Sequence, residues 1–80
     1  MYRLKYDPAA EAVHEAMPAV ASEALTLALA AACHDPIAAT EPYGEDDGIM
    51  RMLVTEHSFA ALLVGQTLKT ITVLQVTYLG

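Results

Sequence analysis

Basic residues are scarce. Arg3, Lys5, Arg51 and Lys69 stand against ten acidic side chains, giving a net charge of −6 and a pI near 4.7. Nucleic-acid binding rests on Lys and Arg neutralising phosphates, so this balance argues against a broad RNA- or DNA-binding surface. Cys33 is the only cysteine, which excludes an internal disulfide and a thiolate zinc site. Residues 24–33 are mostly apolar but far too few to cross a bilayer. No basic region followed by an apolar run opens the chain. A cytoplasmic protein with no membrane partner is the expectation. No G-x-S-x-G elbow, Gly-rich phosphate loop or dinucleotide fingerprint occurs. His14, His34 and His57 fall on separate segments without metal-ligand spacing, so neither a metal nor a cofactor is expected. The acidic run Glu45, Asp46, Asp47 lacks the alternating oxygen ligands of an EF-hand and reads as a solvated loop.

What is present is a set of clear periodicities. Residues 1–6, MYRLKY, alternate: Tyr2, Leu4 and Tyr6 face one way, Arg3 and Lys5 the other, as in a half-buried strand. Asp7-Pro8 then supplies an N-cap and a first helical residue. Ala10, Val13 and Met17 share one face of the helix that follows. Pro18 ends that helix and suits the start of a second. The second runs to about Cys33, with Ala21, Leu25, Ala28, Leu29 and Ala32 as its main stripe. Leu27 lies about 200° from Leu25 at about 100° per residue, so this helix is apolar on more than one side. Asp35-Pro36 closes it, and residues 36–49 read as a loop punctuated by Pro42, Gly44 and Gly48.

Residues 50–56 read as a strand, with Met50, Met52 and Val54 on one face and Arg51, Leu53 and Thr55 on the other. His57 and Ser58 make a turn, and residues 59–64, FAALLV, form a buried strand. The end of the chain, residues 69–79, is the most strand-like stretch. Period two puts Ile71 and Val73 on one face and Thr72, Leu74, Val76 and Tyr78 on the other. Both faces are apolar, which predicts a strand covered on both sides and paired at both edges. The fold class is α+β, in the order β-α-α-β-β-β. The expected architecture is an antiparallel sheet with a helical hairpin on one face, in a single domain spanning 1–80.

A domain of eighty residues buries only roughly 60–65% of its unfolded surface, yet 55% of this chain is hydrophobic. The excess predicts an interface. Leu53, Phe59, Leu62, Leu63 and Leu27 are the expected partner-binding residues.

YRLKYDPAA, the proline between the helices, HDPIAATEPYG, MRMLV and VLQVTYLG follow one another in an order that resembles the RelE/ParE superfamily of bacterial toxins. The resemblance covers essentially the whole chain and implies the same sheet-and-hairpin fold. It implies the toxin half of a toxin–antitoxin pair, with an antitoxin, a second copy of the chain, or both as partners. The RelE-like branch cleaves messenger RNA on the ribosome and the ParE-like branch inhibits DNA gyrase. Ribosome and messenger RNA are disfavoured here by charge. The family's nucleases use a basic cluster on the sheet with a C-terminal Tyr or His. Carried over, that implies catalytic roles for Arg51 and Tyr78, with Lys69 reaching across and His57 assisting. Ala60 and Leu79 fall where further basic residues are usual, so the implied nuclease is weak or lost. A fully active ribonuclease and a non-toxin assembly domain are the alternatives.

Overall fold

The computed structural model describes residues 1–44 and 48–80; the acidic run Glu45, Asp46, Asp47 lies outside the described residues. In chain order the elements are β1 (Arg3–Tyr6), α1 (Pro8–Ala16), α2 (Ala19–His34), α3 (Pro36–Ala39), β2 (Glu41–Pro42), β3 (Met50–Val54), β4 (Ser58–Gly65) and β5 (Thr70–Tyr78). The strands form one sheet in the order β1-β5-β4-β3-β2. β5 is flanked by β1 and β4, so its two-edged pairing is as its composition predicts. β1 joins it in parallel, whereas the other neighbouring pairs are antiparallel. A strand that returns through helices before pairing can run parallel, unlike strands joined by tight turns.

The helices form as their caps dictate. Asp7 accepts a hydrogen bond from the Ala9 amide at 3.0 Å, with Pro8 at the first helical position. Met17 closes α1 in extended conformation, and Pro18 caps α2. The 36–49 segment departs from the loop reading. Asp35 ends α2 and at once caps α3, accepting from the Ala38 amide at 3.2 Å. The Asp-Pro pair therefore both stops one helix and starts a short one. Glu41 and Pro42 then pair with Met52 and Arg51 at the sheet edge.

The core lies between the helices and one sheet face. Ala10 and Met17 of the first turn-and-cap region, with Ala21, Leu25, Leu29, Ala32 and Cys33 of α2, meet Leu53, Ala60, Leu62, Val64, Ile71, Val73 and Val76. Leu53 and Leu62 are thus core residues under the helices and present no surface to a partner. The period-two reading of β5 also changes midway. Leu62 pairs with Val73, but its neighbour Ala61 pairs with Gln75, which leaves Leu74 as the extra residue of a bulge. The bulge shifts the phase, so Val76 returns to the helix side instead of following Leu74.

His14 ties the hairpin together. Its Nε2 lies 3.1 Å from the Ser22 carbonyl oxygen, which can only accept. Nδ1 lies 2.9 Å from the Tyr6 hydroxyl, within hydrogen-bond distance. The Thr26 hydroxyl donates to the same Ser22 carbonyl at 2.9 Å. One imidazole thus links β1, α1 and α2.

Leu62 and Leu63 are adjacent in sequence and opposite in burial, which gives a direct check of the layer order. Leu62→Ala should lower unfolding free energy by about 2–5 kcal/mol through cavity formation, and Leu63→Ala by less than about 1 kcal/mol. Urea titration of both variants reads this, and equal losses would contradict the assignment of faces.

Burial raises the Tyr6 hydroxyl from its ordinary 10.0, with Glu11 and then Cys33 adding to the rise. Burial likewise raises the Cys33 thiol from 9.0, against the N-terminal ammonium, which lowers it. The fold holds both protons more tightly than the unfolded chain does. Their stabilisation is complete below the ordinary values and is lost as pH climbs through the raised ones. Stability should therefore fall once pH passes 9.0 and fall further past 10.0. Tyr6→Phe should lack the second decline in denaturation midpoints measured across that range.

Candidate functional site

Register assigns each side chain to the helix-covered face or the open one. Four rows cross the open face. Arg3 stands beside Thr70 and Gly65; Lys5 beside Thr72, Leu63 and Met50. Gln75 stands beside Ala61, Met52 and Glu41; Thr77 beside Phe59 and Val54. The face therefore grades from basic at β1, through a threonine–glutamine strip on β5, to apolar rows on β4 and β3, and to Glu41 at β2. A depression of about 310 Å³ at its apolar end is lined by Pro42, Tyr43, Gly44, Met52 and Phe59. Phe59 and Leu63, expected to bind a partner, lie on this face. Leu27, expected likewise, is 72% exposed on the far side of α2.

The three residues implied as catalytic do not converge. Arg51 is 3% exposed and points to the helix side. Its Nε donates to the Thr40 hydroxyl at 2.9 Å, and one terminal nitrogen donates to the Thr40 and Ile37 carbonyls at 2.8 and 3.4 Å. The guanidinium thereby satisfies the carbonyl end of α3, which the helix itself leaves open. The Thr40 hydroxyl in turn donates to the Pro36 carbonyl. Arg51 is built into the structure beneath α3, away from the open face.

Tyr78 ends β5, 45% exposed, beside a hollow formed with Val13, Ala16, Met17 and Pro18. Lys69 sits at the other end of β5, in left-handed conformation with φ 55°, its Nζ 5.1 Å from the centre of the Tyr2 ring. The strand between them puts about 30 Å between the two backbones. His57 occupies the β3–β4 turn and accepts from the Leu79 amide through its carbonyl at 2.7 Å, so it neighbours Tyr78 alone of the three.

What the sequence reading passed over is the basic edge. Arg3 and Lys5 project from β1 on the open face, and Lys69 precedes the strand they pair with, its carbonyl accepting from the Arg3 amide at 2.8 Å. Three of the chain's four basic side chains thus belong to one edge. The alternation of MYRLKY contained the signal; the pairing of β1 with β5 supplied the rest. Among the described residues no cluster of three metal-ligating side chains occurs, and no helix is long and apolar enough to cross a membrane.

This layout, a five-stranded sheet with a helical hairpin on one face and the other face open, defines a small α+β class. Solved structures of similar fold include RelE toxins. The isolated E. coli RelE toxin superposes with a TM-score of 0.83 at 18% identity, over 100% of this chain and 86% of that one. A chain of the intact E. coli RelBE toxin–antitoxin complex gives 0.79 at 20% identity, over 98% and 96%. A chain of the RelBE2 toxin–antitoxin complex of Mycobacterium tuberculosis gives 0.81 at 13% identity, over 96% of each. No protein-family model and no curated protein matches the sequence. The chain has the RelE fold.

The geometry assigns Arg51 a measurable structural weight. Arg51→Ala strips the donors from the α3 carbonyls and should cost about 2–4 kcal/mol of stability. Thermal or urea unfolding checks it; a variant as stable as the parent would show that α3 does not depend on the guanidinium.

Proposed function

We propose that this chain is the toxin-type half of a toxin–antitoxin pair and acts mainly by binding protein, with ribonuclease activity weak or lost. The observation that carries the reading is Arg51, whose guanidinium is held by Thr40 and Ile37 on the side of the sheet away from the open face. Phosphodiester cleavage gathers negative charge in the transition state, and positioned cations supply much of its stabilisation. Loss of one such donor typically costs about 10²–10³ in rate. Arg51, Lys69 and Tyr78 do not surround a common point at which a phosphate could sit. Partners in this reading are an antitoxin and a second copy of the chain. The antitoxin is assigned to the open face, where Met50, Met52, Val54, Phe59 and Leu63 offer apolar contact. An antitoxin as partner, though not the face it covers, is supported by the RelE-fold chains found in toxin–antitoxin complexes.

The grouping of Arg3, Lys5 and Lys69 favours a second reading, in which this edge holds an RNA backbone and the chain is an active ribosome-dependent endonuclease. Induction of the chain alone separates the two. The first reading expects growth arrest with messenger RNA intact, relieved by co-expression of an adjacent small reading frame. Prompt cleavage of translated messages would put the second in its place. For the first reading, Met52→Glu should weaken binding to the co-expressed protein at least about 10-fold, since a charge would stand at the centre of an apolar patch. Isothermal titration with purified proteins measures that change, and unaltered affinity would move the partner off the open face.

A further inference from the structure

The second helix has two apolar sides, and the fold covers one of them. Ala21, Leu25, Leu29 and Ala32 enter the core. On the outward side, Val20, Ala24, Leu27, Ala31 and His34 follow one another at intervals of four, three, four and three residues. This is the spacing of a coiled-coil seam. Val20 is 68% exposed and Leu27 72%, while Ala30, Ala31 and His34 are also exposed. Ser22 and Thr26, two of the helix's few polar residues, bond to each other and contact His14. The outward side is left with Glu23 near one end and His34 at the other as its only ionisable groups.

We infer that this seam pairs with the same seam of a second copy, the two helices running antiparallel about a two-fold axis. The pattern is self-complementary. When Leu27 of one copy lies over Ala31 of the second, two-fold symmetry places the second copy's Leu27 over the first copy's Ala31. The large side chain meets a small one twice, and the alanines let the helices approach to about 8 Å. The same register sets Glu23 of each copy beside His34 of the other, so a carboxylate acceptor meets an imidazole N–H donor at both ends. Asp35, level with Glu23 of the other copy in this register, has its carboxylate engaged at the start of α3, accepting from the Ala38 amide at 3.2 Å. A parallel pairing would instead put Glu23 beside Glu23 and His34 beside His34. An isologous contact of this kind closes at two copies and does not propagate. A single helix pair is a small interface, so the dimer is a micromolar one. It leaves the open sheet face free.

Sedimentation of the full chain from about 1 to about 200 µM tests this, bracketing a micromolar dissociation constant. The wild type should pass from monomer to dimer over that range. Leu27→Glu should weaken association at least about 10-fold, and Leu27→Ala should weaken it less. Leu27 is exposed, so circular dichroism and melting of both variants should match the parent. Glu23→Lys should weaken the dimer, and adding His34→Glu to it should restore affinity to within about 3-fold of wild type. A monomer at every concentration overturns the proposal, as does a dimer unmoved by Leu27→Glu. Failure of the double variant to recover overturns the antiparallel register. None of these readouts depends on an antitoxin or on growth, so failure here is distinct from failure of the toxin reading.

Discussion

The structure depends on β5 holding one apolar face while being paired along both edges. Val73 shows the constraint. Its side chain is fully buried against the helices, it pairs with Leu62 on one side, and its carbonyl accepts the Asp7 amide at 2.9 Å on the other. A nine-residue strand with strict alternation would turn Gln75 and Thr77 under α1 and expose Val76. The bulge at Leu74 resets the phase. Ile71, Val73, Val76 and Tyr78 then stay on the helix side, and Thr70, Thr72, Gln75 and Thr77 stay on the open side. The residue sacrificed to the irregularity, Leu74, is exposed. Burial of each half-strand's apolar residues outweighs the local loss of ladder geometry.

Most of the elements could be read from residue types whose effect is local. Asp7-Pro8, Pro18 and Asp35-Pro36 act through fixed φ and side-chain caps, so the helix ends follow from a few neighbouring residues. The strands of 50–65 announce themselves by alternation. The features that escaped depend on partners distant in sequence. The bulge exists because Leu62 and Ala61 fix where β5 must pair, and the parallel seat of β1 depends on the path of two helices. The α3 turn is too short to show periodicity and rests on Arg51, fifteen residues beyond Pro36.

The candidate site failed to be legible for a related reason: parity. Arg51 and Met52 are neighbours on one strand, and a step of one residue separates the covered face from the open one. A pattern of types places an arginine at the head of this strand but leaves open which face is solvent. The burial of Leu53, two residues on, settles it, because Arg51 must share its side. A buried guanidinium needs acceptors, and the Thr40 hydroxyl and the carbonyl end of a one-turn helix are among those it finds. The cation most suggestive of chemistry is thereby committed to holding the turn that leads into β2.

The charges on the open sheet face separate along its width. Arg3, Lys5 and Lys69 gather at β1 and the turn before β5, while Glu41 marks the opposite edge of the open face. Such a molecule treats different anions differently. A nucleic acid is long, and much of it lies beyond the roughly 8 Å over which surface charges act at physiological salt. It must therefore pass over acidic surface as well as the basic edge, on a chain of net charge −6. A short acidic segment of a protein can sit within reach of Arg3 and Lys5 and lay apolar side chains across Leu63, Met50 and Phe59. The threonine strip between them supplies hydroxyls without a competing charge. Under the proposed function, local attraction, a neutral strip and an apolar floor in that order would serve an extended or helical protein segment. Under the proposed function, the same scarcity of basic residues that argues against a broad nucleic-acid surface suits this face to a protein ligand.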